Sequence, residues 1–337
     1  MTLKLFMDSM LPAIETELRN IIARLDKVST LKFHEMLTYH MGWRSPADDP
    51  EATGKRIRPL LVLLVCAACG TDWHRALPAA ASIELIHNFS LVHDDIQDGS
   101  ELRRGQPAVW KKWGMAQAIN VGDSLFILAH LALLEINKEF PPNKVLHVGE
   151  IIDEACLALS NGQFLDIDYE KREKLSIEEY WQMVSGKTAA LLSACTQIGA
   201  LLGGADEVSQ ENYKNFGRFL GLAFQVQDDY LGIWGNSALI GKSTEADLLA
   251  GKKTLPVVYG LLKNGQFAHR WAKGAIHAEE IDHLSEQLAR EGAKTYTQEI
   301  ANQMTDLALQ SLRSANPQGM AGEALFDLAN KLLHRQV

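Results

Sequence analysis

Apolar positions recur at three- and four-residue intervals through almost the whole 337-residue chain, and no segment sustains the two-residue alternation of a half-buried strand. The pattern predicts an all-α fold with helices over 8–27, 56–69, 78–98, 115–138, 144–170, 176–203, 207–234, 255–263, 278–292, 294–314 and 320–335. The breaks are chemical: Gly70, Pro78 near a helix start, Gly99, Pro141-Pro142 and Gly203-Gly204. Several helices between 78 and 234 are apolar around much of their circumference, as expected in the middle of a large bundle. The stretch 42–54, rich in Pro, Asp and Gly, and the Gly- and Lys-rich stretch 235–254 are expected to be ordered loops over a site. Nothing in the pattern marks a domain boundary, so residues 1–337 are expected to form a single domain.

Two aspartate clusters interrupt this pattern: Asp94-Asp95-Ile96-Gln97-Asp98 and Asp228-Asp229. Carboxylates are costly to bury unless paired or bound to metal. Residues four apart share a helix face, so Asp94 and Asp98 point the same way with Asp95 at their flank. Asp228 and Asp229 are expected to present a second carboxylate wall. His87, Ser90, Asp94 and Asp98 form one polar stripe; Gln225, Asp228, Asp229 and position 232 form another, and Gln163 with Asp166 a third. Oxygen donors alone suit Mg²⁺, a hard ion that keeps waters and is completed by substrate phosphate oxygens. Cations lie where a diphosphate needs them: Lys55, Arg56 and Arg58 at a helix start, Arg103 and Arg104 after the first cluster, and Lys242, Lys252 and Lys253 after the second.

Charge and cysteine usage narrow the setting. A net charge of −9 argues against bulk binding of nucleic acid, so any anionic substrate must be captured locally. Four cysteines in apolar surroundings are too few for a disulfide framework, and the lone CxxC at Cys66 and Cys69 lacks a second pair for zinc. The apolar run 60–69 is too short to span a bilayer, and Asp8, Glu15 and Glu17 stand where a signal peptide needs an apolar core. A cytoplasmic protein without a transmembrane segment is expected.

The fragments GKRIRP (54–59), ELIHNFSLVHDDIQD (84–98), LRRGQP (102–107), GQFLDI (162–167), GKTAALL (186–192), FQVQDD (224–229) and GKSTEADLLAGKKTLP (241–256) occur in this order. Each is weak alone. Together they resemble the trans-type isoprenyl diphosphate synthases, or polyprenyl synthetases. The resemblance implies a bundle of ten or more helices around a deep central cavity, usually a homodimer, performing head-to-tail prenyl transfer. It implies an allylic diphosphate bound through Mg²⁺ on Asp94, Asp98 and Asp228, with Arg103, Lys187, Lys242 and, through metal-bound water, Gln163 around it. Isopentenyl diphosphate is expected at Lys55, Arg58, His87 and Arg104, with Lys252 also binding substrate. Asp95, Thr188 and Gln225 complete the catalytic set. Metal and cations stabilise the departing diphosphate, the alkene attacks the allylic cation, and apolar walls exclude water.

One position departs from the family pattern: the second cluster commonly reads DDxxD, and Gly232 stands at its end. Activity is expected to survive, with Asp229 and Asp247 supporting the site. Phe89 and Ser90, five and four residues before Asp94, are expected to set product length, with geranylgeranyl diphosphate as main product and farnesyl diphosphate as the alternative. His93 is expected to be structural, and Lys253 to be the solvated neighbour of Lys252. A class I terpene cyclase also ionises a diphosphate at DDxxD, yet it has no need of the second anion pocket that Lys55, Arg58 and Arg104 supply. A non-catalytic subunit of a prenyl synthase would have little reason to keep these charges.

Overall fold

The computed structural model describes residues 2–25, 27–43, 54–235 and 246–333. Its helices are α1 (Thr2–Ile22), α2 (Leu31–His40), α3 (Ile57–Ala68), α4 (Leu77–Gln97), α5 (Val109–Trp113), α6 (Met115–Leu134), α7 (Pro142–Glu170), α8 (Ile177–Val184), α9 (Ala190–Gly203), α10 (Glu207–Trp234), α11 (Ala246–Leu249), α12 (Leu255–Lys263), α13 (Gln266–Trp271), α14 (Ile281–Arg290), α15 (Ala293–Ala315) and α16 (Gly319–Leu333). The all-α expectation holds. Long amphipathic segments match closely, and the differences are local. The first helix starts and ends earlier than its pattern suggests, and α2 was not anticipated because only Met36, Leu37 and His40 of its short span are buried. The expected helix 176–203 is broken by a π-helical turn, Ser185–Ala189, between α8 and α9. Most of the expected 42–54 loop, and positions 236–245 of the 235–254 loop, lie outside the described residues.

The chain divides into two compact units. The first comprises Met1–Asp153, Cys195–Gln210 and Asn316–Leu325. Its centre is α4, which packs against α6 and α3. Ile83, Leu85, Ile86 and Val92 of α4 are buried, as are Val121, Leu125 and Ala129 of α6 and Leu60 to Cys66 of α3. Burial pushes the Cys66 thiol up to about 12, the state of an inert core cysteine. Among the described residues one helical stretch, Met115–Lys138, is long and apolar enough to cross a bilayer, and 44% of its window is buried inside the protein.

The second unit comprises Glu154–Ala194, Glu211–Ala315 and Phe326–Val337. Tyr180, Met183 and Val184 of α8 pack with Leu222 and Val226 of α10 and Leu255 and Val258 of α12 in one apolar cluster. A capping box starts α8: the Ser176 hydroxyl accepts from the Glu179 backbone N–H, and the Glu179 carboxylate accepts from that of Ser176. A second cluster joins Ile233, Leu248, Val257, Phe267 and Leu288.

Before α3, Arg56 adopts a left-handed backbone (φ 48°) and turns its side chain into the first unit. Its Nε donates to Glu15 at 2.6 Å, its Nη1 to Glu84 at 2.8 Å, and its Nη2 to the Met41 carbonyl at 3.2 Å. Glu84 also accepts from the Asn88 amide at 3.0 Å. This network ties the chain ahead of α3 to α1 and α4. Glu84→Ala should lower stability by about 3 kcal/mol, because it leaves a buried guanidinium partly uncompensated; equilibrium denaturation measures the loss.

Candidate active site

In the first unit the aspartate motif closes α4, where exposed carbonyls already make the helix end electronegative. Asp94 is half-buried and Asp98 is exposed, one turn apart on one face. Asp95 turns inward: its side chain is 2% exposed, and its Oδ1 accepts from Arg103 Nε at 2.9 Å and from Nη2. Burial raises the Asp95 carboxyl above its usual range, and the Arg103 charge opposes that rise. The same guanidinium lies 3.7 Å from Asp94 Oδ2.

Arg103 is held there by a hairpin that the helical pattern did not reveal. Leu102–Arg103 pairs antiparallel with Gln106–Pro107, and Arg104 (φ 50°) and Gly105 (φ 74°) form its two-residue loop. Positive φ at both central positions matches the twist of a tight hairpin. Near it lies a cluster of half-buried cations. Arg58 Nη1 donates to His87 Nε2 at 3.1 Å, so His87 is neutral with its proton on Nδ1. Burial holds the His87 imidazole well below its ordinary range, and Arg58, Arg104 and Arg103 push it the same way. Burial also lowers Arg58 and Arg104, the latter further through Arg56. Desolvated cations crowded like this are stabilised by an anion among them. Lys55 is exposed.

In the second unit α7 approaches the π turn at backbone contact. A β-carbon at Gly162 would meet the Lys187 nitrogen at 2.1 Å, and one at Gly186 would meet the Ala158 carbonyl at 2.4 Å. That closeness seats Lys187 in an ion pair with Asp166. Both glycines belong to the quoted fragments, but spacing alone did not reveal the ion pair. From the same turn, Thr188 Oγ1 donates to Gln225 Oε1 at 2.9 Å, and Gln225 Nε2 donates to Asp229 Oδ1 at 2.9 Å. Asp229 Oδ2 accepts from Tyr180 Oη at 2.7 Å and from the Leu255 backbone N–H at 2.8 Å. Burial raises the Asp229 carboxyl to about 7, against the pull of these donors.

The expected second carboxylate wall is therefore corrected. Asp229 is 4% exposed and consumed by internal donors, so Asp228, half-buried, is the member of the pair left at the surface of α10. Tyr180, which no polar stripe marked, is the buried anchor of the chain that reaches Thr188. Lys253 is corrected too: its Nζ donates to the carbonyls of Tyr169 at 2.6 Å and Glu170 at 2.9 Å, capping α7, while Lys252 is the exposed neighbour. His93 packs on Phe89, ring centroids 4.9 Å apart, and Phe89 lies 5.1 Å from Phe126. Ser90 Oγ donates to the His87 carbonyl at 2.8 Å. Gln163 has a buried Nε2 without a hydrogen-bond partner, and Lys242 lies outside the described residues.

The donor chemistry fits a hard cation: in the first unit Asp94 and Asp98 offer carboxylate oxygens on one helix face, and in the second unit Asp228 offers its own. Among the described residues no three His, Cys, Asp or Glu side chains form a metal cage by themselves. Such a donor set suits Mg²⁺ completed by water and phosphate oxygens.

Comparison with known proteins establishes the family. A sequence profile described as polyprenyl synthetase matches residues 45–288. The chain belongs to the polyprenyl synthetase family. A (2E,6E)-farnesyl diphosphate synthase of Mycobacterium tuberculosis is 37% identical, over 96% of this chain and 90% of its own. A geranylgeranyl diphosphate synthase of the same organism is 36% identical, over 89% and 86%. The crystal structure of geranylgeranyl pyrophosphate synthetase from Pyrococcus horikoshii is similar with a TM-score of 0.88 at 33% identity, covering 99% of this chain and 98% of that one.

Within this polyprenyl synthetase, His40 gives a pH test of the cation cluster. Burial first, then the charges of Arg104, Arg103 and Arg56, lower it from 6.5 to about 3. Between those values the unfolded chain binds a proton that the folded one excludes, so stability falls as the pH drops. His40 alone should contribute a loss of about 2 kcal/mol from pH 8 to pH 5, so the parent should lose about that much more stability over this range than His40→Gln, whatever Asp229 and His87 contribute to both. Denaturant melts of both proteins at the two pH values measure the difference.

Proposed function

We propose that the protein joins isopentenyl diphosphate head-to-tail to an allylic diphosphate, releasing a short-chain trans-prenyl diphosphate, chiefly geranylgeranyl diphosphate. The observation that carries this reading is the crowd of desolvated cations around His87, on the helix that also carries the first aspartate motif. Ionising one allylic diphosphate needs the aspartates; a second anion pocket is needed only by a second diphosphate substrate.

Lys55, Arg58 and Arg104 hold the diphosphate of isopentenyl diphosphate. His87, whose Nε2 accepts from Arg58, keeps its Nδ1–H to donate to the same group. We assign metal ligation to Asp94 and Asp98 in the first unit and to Asp228 in the second. Mg²⁺ supplies neutralisation of the charge that builds on the departing diphosphate. By the family resemblance we assign to Arg103, fixed by Asp95, to Lys187, fixed by Asp166, and to Lys242 and Lys252 the binding of that group, and Gln163 would serve it through metal-bound water. Thr188 donates its proton to Gln225, which leaves hydroxyl lone pairs to face the allylic cation. The family's apolar lining keeps water from quenching it.

Phe89 limits the length of the product tail, backed by the His93 and Phe126 rings. Farnesyl diphosphate is the second reading, favoured by the name of the 37% identical relative. A homodimer is also proposed, since Ile119, Ile127, Leu131 and Leu134 of α6 are exposed apolar residues that a second copy would cover.

Purified protein incubated with Mg²⁺, isopentenyl diphosphate and, separately, dimethylallyl, geranyl and farnesyl diphosphates should yield elongated diphosphates by mass spectrometry. Phe89→Ala should shift that distribution at least one isoprene unit longer. A cyclised hydrocarbon from an allylic diphosphate alone would replace the reading with a cyclase, and an unchanged distribution would remove Phe89 from its role.

A further inference from the structure

We infer that Asp247 supplies the carboxylate missing from position 232, and that Gly232 is present because only glycine leaves it room. The inference rests on the proposed metal role of Asp228. On α10 that residue and position 232 lie one turn apart on one face, so a third aspartate of a DDxxD motif would project beside Asp228. Here the space is taken from another segment. A β-carbon built at Gly232 would lie 2.1 Å from Asp247 Oδ2 and 3.1 Å from Asp247 Cγ. The Asp247 carboxylate thus rests against the backbone of α10 where a side chain at 232 would begin.

The seat is held from both sides. The next residues along, Ile233 and Leu248, are buried in the same apolar cluster with Val257 and Phe267. Behind them the Asp247 carbonyl accepts from the Lys252 backbone N–H at 3.0 Å, closing a turn in which Gly251 takes a positive φ of 66°. The charge of Asp247 is felt at Asp229, one turn before Ile233, where it adds to the rise of that buried carboxyl. Because Asp229 is engaged by Tyr180, Gln225 and Leu255, it is not the substitute. Asp247 is the carboxylate that sits where the motif lacks one. It acts as a positioning residue, orienting the hydration of the ion held by Asp228.

The test uses the full chain and two readouts. One is the rise in melting temperature produced by Mg²⁺ with inorganic pyrophosphate; the other is the Mg²⁺ half-saturation of diphosphate release during elongation. Asp247→Ala should raise the Mg²⁺ requirement in both by about tenfold. Gly232→Ala should act in the same direction, because its methyl displaces the Asp247 carboxylate. The double variant Gly232→Ala/Asp247→Ala should be no worse than Asp247→Ala, since both changes remove one interaction. Gly232→Asp/Asp247→Ala should return to within about threefold of the parent by restoring a carboxylate at the same place. A parental Mg²⁺ requirement in Asp247→Ala, or additive effects in the double variant, would overturn the inference while the parent still elongates. A parent that shows neither a Mg²⁺-dependent melting shift nor elongation would overturn the functional reading and this inference with it.

Discussion

Adjacent aspartates on a buried helix cannot both face a ligand. Successive residues are about 100° apart around the axis, so one of each pair must enter the protein. There it loses hydration and has to be compensated by fixed donors. Asp95 finds Arg103, and Asp229 finds Tyr180, Gln225 and the Leu255 N–H. Each inward aspartate acts as a peg that sets the rotation of its helix. Asp94 and Asp98, and likewise Asp228, are thereby left less buried than their neighbours, near the C-terminal part of a helix, where added negative charge is least welcome. A divalent cation is the natural remedy.

The cations follow the same division. Arg56 is spent inside the fold on Glu15 and Glu84, and its reward is structural. Arg58 and Arg104 are also desolvated, beside a neutral imidazole and other guanidiniums, and the charges of Glu84 on both and of Asp95 on Arg104 only partly offset that cost. In the proposed function, a diphosphate held among them would complete that compensation. Lys187 and Arg103 stand between these cases. Arg103 pairs with Asp95 and lies near Asp94, and Lys187 pairs with Asp166, contacts that fix the position of each cation.

Much of this was legible in the sequence. Long helices with a clear 3.6-residue period were placed to within a few residues, as α3, α4, α7, α10 and α12 show. The cation and aspartate fragments were visible as motifs. Periodicity states which residues share a face, not which of two polar neighbours is buried, so Asp229 looked like part of a wall. It also misses the π turn, which lies at a close backbone contact between Gly162 and Gly186 of distant segments. The Arg103 hairpin is too short to alternate, and the capping role of Lys253 depends on where α7 ends. Asp247 was suspected of supporting the site, but the vacancy at Gly232 that admits it is a property of the tertiary structure.

The most direct measurement of this division of labour compares Asp94→Asn with Asp95→Asn in a Mg²⁺ titration of diphosphate release, with melting temperatures taken alongside. If the outward aspartate serves the ion and the inward one the fold, Asp94→Asn raises the Mg²⁺ half-saturation by more than about tenfold at near-parental stability. Asp95→Asn then lowers the melting temperature while keeping the Mg²⁺ requirement within about threefold of the parent. Equal Mg²⁺ requirements in the two variants, or a loss of stability confined to Asp94→Asn, would contradict it.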